Sequence, residues 1–408
     1  MRTLFFLQLL LLSSLAIAQG SDQGEPRKFG IQFKGFVKSD YWYDSRQVVG
    51  AREDIILLLP TNRLQDANGK DINAHPTFNY SPVSSRITGV ITGPDAFGAK
   101  TSGMIEADFS GVTNADINGF RLRHAIGKLR WTNSELMFGQ YWHPMFVPEV
   151  FPAVISLNTG APFQPFIRNP LISYTQFFNR FNLNFTLLSQ RDNANDGPLG
   201  ASSIYIRNTL IPNAHLQLQY KHDKYIWGIA ADYKVLKPRL ATANNYKTNE
   251  TISTYAFMGY FKYTNRDFLW SCKTIYGQNL TEHLLLGGYA VRSVDLLTKY
   301  ETYTPTNHLF FWNFIGYGKT LKVCLYTGFA KNLGTTHNNT GTYYSRGKDI
   351  DYAYRIAPSL SWVSGKVQVS SELEYTAAAY GTPDNKGNVK NADEFGNLRL
   401  LLTFFYFF

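Results

Sequence analysis

Polar and apolar residues take turns along much of this chain. In His215-Leu216-Gln217-Leu218-Gln219-Tyr220-Lys221 every second residue is polar, and from Lys366 to Tyr375 the even positions are polar, with Ser371 the one lapse. A period of two belongs to a β-strand whose two faces meet different surroundings. Such segments recur at 29–43, 84–94, 99–110, 119–131, 134–142, 170–178, 181–190, 212–222, 225–236, 251–263, 267–278, 308–317, 320–331, 352–363, 366–379 and 395–408. They average about twelve residues, enough to cross a bilayer at the tilt of a barrel strand.

The connections sort themselves by size without exception. Long ones occupy 44–83, 111–118, 143–169, 191–211, 237–250, 279–307, 332–351 and 380–394, and a short one follows each of the first seven. The short ones are turn-like: Pro94-Asp95 begins one, and Thr132-Asn133, Asn179-Arg180, Asp223-Lys224, Thr264-Asn265-Arg266 and Ser364-Gly365 make others. This rhythm predicts an all-β fold, a 16-stranded antiparallel transmembrane β-barrel with long extracellular loops, short periplasmic turns and an inward-folded third loop. An even strand number puts both termini on the periplasmic side. A soluble sandwich with its apolar residues inward has no reason to sort its loops in this way.

The ends of the chain agree. Met1 to Ala18 carries one charge at Arg2, an apolar stretch from Leu4 to Leu12 and small residues at Ala16 and Ala18, the pattern of a cleaved signal peptide. Residues 19–28 are then a short periplasmic segment, and 29–408 the barrel. The last residues, Leu400-Leu401-Leu402-Thr403-Phe404-Phe405-Tyr406-Phe407-Phe408, would expose a greasy β-prone tail in water but suit a strand ending at a lipid boundary. The ending is similar to the terminal strand of bacterial outer-membrane barrels, which makes Phe408 a candidate assembly signal for the barrel-assembly machinery.

Composition narrows the alternatives. With 15% aromatic and 17% charged residues in 408, the chain is neither disordered nor a coiled coil, and no 18-residue apolar run follows the first twenty positions. Cys272 and Cys324 are either one disulfide or two small buried residues.

Counting back from the turns sets the register of the predicted strands. It places Glu106 opposite Arg123, Asp108 opposite Arg121, and Arg86 opposite Glu106. A second ladder sets Arg355 opposite Glu374 and Glu374 near Arg399. These charges point inward, because Arg or Lys on the lipid side at mid-depth costs roughly 2–4 kcal/mol each. Each is either a selectivity group of a pore or part of a salt-bridge lattice that hydrates the wall.

The 143–169 connection carries Phe146, Phe151, Phe163 and Phe166 among Pro144, Pro148, Pro162 and Pro165, too apolar for a loop projecting freely into water. It is expected to fold into the barrel and narrow it, bringing His143, Glu149 and Arg168 near Arg121 and Arg123. Gln140, at the root of this loop, joins the predicted lining. A lid over the mouth, or a contact with a neighbouring subunit, is the alternative.

Three blocks, Ser102-Gly103-Met104-Ile105-Glu106-Ala107-Asp108-Phe109, Arg121-Leu122-Arg123-His124-Ala125 and Phe138-Gly139-Gln140-Tyr141-Trp142, resemble the DcaP-like porins of Gram-negative outer membranes. Tyr233-Lys234-Val235-Leu236-Lys237-Pro238-Arg239 is similar to that family too. The resemblance implies a homotrimeric channel with an inward third loop and a basic lumen favouring small anionic solutes such as dicarboxylates. It matches Arg121, Arg123 and Arg168 to basic positions of the constriction. Family members often carry a helical N-terminal extension, which the short segment after Ala18 does not offer.

The formal net charge is +10, yet Lys and Arg are scattered singly, which speaks against nucleic acid and for a basic lumen that concentrates anions. Catalysis is not expected, for there is no H-E-x-x-H and no G-x-S-x-G. His215 is placed opposite Asp232, so the sequence leaves a hydrolytic triad open. The eight His are dispersed without metal-ligand spacing, and neither metal nor cofactor is expected. The function predicted is passive diffusion of small hydrophilic solutes, anions preferred, through the outer membrane. A non-conducting surface or adhesion protein is the alternative, and a barrel hydrolase the third.

Overall fold

The computed structural model describes residues 28–408. The predicted signal peptide and nearly all of the 19–28 segment lie outside the described residues.

Each predicted strand has its counterpart. β1 (Gly30–Asp44) opens the wall, β2 (Val48–Ala51) and β3 (Ile56–Pro60) form a separate hairpin, and β4 (Thr77–Ser81) and β5 (Arg86–Thr92) are two halves of one wall strand, both paired to β1. The wall continues through β6 (Lys100–Asp108), β7 (Arg121–Arg130), β8 (Ser134–Trp142), β9 (Arg168–Phe178) and β10 (Phe181–Leu188). One turn of helix, α1 (Ile204–Arg207), precedes β11 (Asn213–Lys221), β12 (Tyr225–Leu236), β13 (Ile252–Asn265) and β14 (Phe268–Gln278). β15 (Gly287–Val294) and β18 (Tyr343–Arg346) are paired above the wall, which resumes with β16 (Glu301–Tyr317), β17 (Leu321–Thr335), β19 (Ile350–Ser364), β20 (Val367–Pro383) and β21 (Val389–Phe407). All neighbours are antiparallel, and β21 pairs with β1 from Phe36↔Phe407 to Asp44↔Arg399, closing sixteen wall strands into a barrel without a free edge. Phe408 is tied into this seam, exchanging backbone hydrogen bonds with Gly35.

The last strands outrun the prediction at the long-loop end, where β16 starts at Glu301 rather than 308 and β21 at Val389 rather than 395. Outer positions there include Lys390 and Glu394, both exposed, so the apolar alternation stops while the ladder goes on. Lower down the alternation holds. Leu400, Leu402, Phe404 and Tyr406 are exposed on the outside, while Arg399, Leu401 and Thr403 are buried. Such an apolar outer belt has no counterpart on a soluble barrel.

The interior departs from the purely hydrophilic lining expected. Phe310, Trp312 and Phe314 of β16, Tyr326 of β17 and Ala353 of β19 point inward and join one apolar core with Ile55, Ile56, Leu58 and Leu59, Met145–Val147, Phe163 and Leu284–Leu286. Three long connections therefore turn into the barrel, and their apolar side chains require an apolar wall beneath them. Close approach needs small wall residues. A Cβ at Gly328 would lie 2.5 Å from the Phe163 ring.

Candidate functional site: a charged wall and the loop across it

β5, β6 and β7 carry the predicted charged wall, with a different register. Asp108 is opposite Arg121 as expected, but a bulge between Glu106 and Ala107 sets Glu106 opposite His124, not Arg123. Arg86 is opposite Asp108, and Thr88 takes the place opposite Glu106. The extra residue lets neighbouring arginines converge. Arg121 binds Asp108 through two nitrogens, Nε at 2.8 Å and Nη2 at 3.2 Å. Arg123 spans both carboxylates, with Nε 2.8 Å from Glu106 Oε1 and Nη1 2.8 Å from Asp108 Oδ2. Arg86 is held more loosely, 3.7 Å from Glu106, and is the most exposed of the three arginines.

Arg168 joins this wall through a residue that sequence reasoning missed. Asp192, in the connection after β10, lies 2.6 Å from Arg168 Nη2 and 3.5 Å from Arg121 Nη1. Burial pushes the Asp192 carboxyl up, but Arg168 and Arg121 outweigh it and hold the group below the usual carboxylate range. The Arg168 guanidinium also covers Trp142, 4.7 Å from the ring centre. The signal for Asp192 was only its place in a long connection beside β9.

Gln140, His143 and Glu149 go elsewhere. The Gln140 amide donates to Leu122 O and Arg123 O at 3.2 and 3.1 Å, fastening the bulged strand. Glu149 pairs with Lys221, and its carbonyl accepts from Lys262 at 2.7 Å, on the β11–β13 side. His143 faces His215 and Asp232. The expected approach of His143 and Glu149 to the arginine wall therefore gives way to anchoring on the opposite flank, because the loop crosses the lumen instead of hugging its root.

That crossing, residues 143–167, is held by side chains of the far wall. Lys273 Nζ donates to Met145 O and Phe146 O at 2.8 and 2.9 Å, and Tyr326 OH to Gly160 O at 2.8 Å. Glu372 accepts from the N–H groups of Ile155 and Ser156 at 2.8 and 3.2 Å, and Glu374 takes the Asn158 amide at 3.1 Å. Polar inward residues of β14, β17 and β20 thus satisfy loop backbone that would otherwise be buried without partners.

The second ladder is likewise dry. Glu374 is opposite Arg399 as expected, but Thr376, not Glu374, is opposite Arg355. Arg355 still reaches Glu374 at 3.0 Å, and its remaining nitrogens donate to Ala161 O at 2.7 Å and to Leu57 O and Leu58 O at 3.2 and 3.1 Å. Arg399 pairs with Asp44 at 2.7 Å rather than with Glu374, and donates to Asp54 O of the inserted first loop at 2.7 Å. Both arginines are 1% exposed, so they clamp loops instead of facing water.

Open space remains beside the loop. A cavity of about 760 Å³ lies toward the short-turn end, bounded by Phe146, Phe151 and Ile155 of the loop and by wall residues. Its charged lining is Lys38, Arg86, Arg123, Arg266 and Lys322 against one carboxylate, Asp267. Arg121 and Arg168 do not reach it.

His215 is opposite Asp232 as expected, its Nδ1 3.1 Å from the carboxylate, while Nε2 is 3.3 Å from Gln217 Oε1. Neither nitrogen has a hydroxyl partner among the described residues, so the triad geometry does not form. Cys272 and Cys324 are both free thiols.

No protein-family model and no curated protein sequence matches the chain. Solved structures do. The outer membrane channel DcaP of Acinetobacter baumannii aligns with a TM-score of 0.67 at 15% identity, over 96% of this chain and 100% of that one. The outer-membrane protein OmpT of Vibrio cholerae aligns at 0.55 and 12% identity, over 94% and 98%. Its in-vitro folded trimer form aligns at 0.54 and 10% identity, over 94% and 100%. The chain therefore has the fold of outer-membrane channel barrels, DcaP among them.

Proposed function

We propose that the chain is an outer-membrane porin, a passive diffusion channel for small hydrophilic solutes that favours anions, carboxylates among them. The observation that carries this reading is the cavity lined by five Lys or Arg side chains and one carboxylate. A low-dielectric cleft with one sign of charge concentrates the opposite ion, and a guanidinium such as Arg86 offers paired donors to a carboxylate. The loop crossing at 143–167 supplies the narrow point, and the solute gradient supplies the energy. In this reading both termini lie in the periplasm, the apolar belt meets outer-membrane lipid, and Phe408 serves the barrel-assembly machinery.

A homotrimer is part of the proposal. The outer face carries a concave apolar groove built from Phe33, Ile87, Gly89, Ile105 and Leu122, a shape suited to a neighbouring barrel, and the fold is shared with a trimer form of Vibrio cholerae OmpT. The second reading is a non-conducting surface protein; the apolar core that three inserted loops build inside the barrel favours it. Planar-bilayer recording of the purified mature chain in a salt gradient decides. Stepwise conductance with an anion-side reversal potential supports the porin, conductance with a cation-side potential removes the anion preference, and a silent bilayer supports the surface protein.

A further inference from the structure

Four residues far apart in sequence meet in one buried pocket at the root of the crossing loop. His143 opens that loop, His215 stands on β11, Asp232 on β12, and His283 belongs to the inserted connection between β14 and β15. Asp232 Oδ2 is 3.1 Å from His215 Nδ1 and 3.4 Å from His143 Nε2. The ring centre of His283 is 4.6 Å from that of His143. None of the four is more than 8% exposed.

The donor atoms of His143, His215 and Asp232 all lie within 4.8 Å of one another. Metal–ligand bonds of about 2.0–2.1 Å give tetrahedral edges of about 3.3–3.4 Å, close to the two distances to Asp232. His283 supplies an independent sign. It is fully buried, and among the described residues neither of its ring nitrogens has a hydrogen-bond partner. The His215 ring is fixed between two partners, its Nδ1 facing the Asp232 carboxylate and its Nε2 lying 3.3 Å from Gln217 Oε1. Lys234 beside the pocket is ion-paired with Glu282.

We propose that His143, His215 and Asp232 bind one divalent transition metal ion, zinc being the best match to two imidazoles and a carboxylate, and that the neighbouring His283 ring swings in to complete four-coordination. Binding reorganises two contacts. The Asn213 amide now lies 3.0 Å from His143 Nε2 and 3.3 Å from Asp232 Oδ2; the ion takes over that bridge, and the amide turns its unpartnered oxygen inward. Metal on Nε2 also moves the His143 ring proton to Nδ1, which now accepts from Met145 N–H at 3.2 Å. The cap of the Pro144–Phe146 turn is then lost, so metal occupancy is coupled to the root of the crossing loop.

The test uses the full mature chain without a histidine tag, purified folded in detergent, stripped with a chelator and titrated with Co(II) and then Zn(II). One equivalent of Co(II) with the intense absorption of tetrahedral coordination, displaced by one equivalent of Zn(II), is expected. His283→Ala and Asp232→Asn should each weaken binding by roughly a hundredfold, at the upper end of what losing even an outer partner of a metal ligand costs. His308→Ala, at a buried histidine outside the pocket, should leave it unchanged. Folded wild-type chain that binds no stoichiometric Co(II), or binding that survives in His215→Ala/Asp232→Asn, overturns the proposal. The wild-type spectrum decides even if a variant fails to fold.

Discussion

The carboxylate of Glu372 sits 2.8 Å from the backbone nitrogen of Ile155, across the full width of the barrel from the strands that launch the loop. A carboxyl acceptor on β20 thus fixes the middle of the crossing segment, and Ser156 N–H shares it. Each such hydrogen bond contributes about 0.5–1.5 kcal/mol. Glu372→Ala should free this stretch and raise both mean conductance and open-channel noise in bilayer recordings. Wild-type current traces from the variant would speak against the anchoring role.

The arginines of the charged wall divide into two kinds. Arg86 borders the cavity on a loose tie to Glu106, whereas Arg121 is taken up by Asp108 and Asp192, and Arg123, though it reaches the cavity, by Glu106 and Asp108. Arg86→Ala, the loosest of the three, is expected to move the reversal potential toward cations with little loss of stability. Arg121→Ala should leave selectivity nearly unchanged and lower the urea midpoint, because it removes two of the bonds to buried Asp108 and one partner of Asp192. The opposite assignment of the two effects would refute this division.

Gly328 leaves room for Phe163, and a methyl group there meets the ring at 2.5 Å. Gly328→Ala should destabilise the barrel by about 1–3 kcal/mol through overpacking. In a background lacking residues 147–165 the same substitution should be neutral. A cost of equal size in both backgrounds would place its origin in the wall rather than in loop docking.

Asp192 provides a pH dependence with a definite sign. Its folded carboxyl is held below the ordinary value, so its contribution is complete above the unfolded value and is lost as pH falls through the folded one. Conductance noise should stay flat from pH 7 down to about 4, the ordinary carboxyl range, and rise only below it. Asp192→Asn should be noisy at every pH. A wild-type transition near pH 6 would assign the titration to a different group.

Much of the fold was legible because a membrane barrel writes its two surroundings into alternate residues. The turns Asn179-Arg180 and Asp223-Lys224 fixed the registers of their own strands, and centring the 111–118 connection gave the Asp108–Arg121 pairing. Counting failed at Glu106–Ala107, since a bulge leaves no mark in hydrophobic period. The inserted loops were only partly visible. Leu309-Phe310-Phe311-Trp312 is apolar on both faces, the mark of a strand covered on both sides, and it lines the apolar core. Asp192, Glu372 and the His143–His283 pocket were out of reach, because their partners come from strands and loops brought together only by closure of the barrel.

Arg355 donates to Leu57 and Leu58 on one inserted segment and to Ala161 on another. The two segments are therefore fastened to a single knot. Anyone grafting a foreign epitope or sensor peptide into either one would leave donors of a buried guanidinium without partners, so the pair must be exchanged together or left alone.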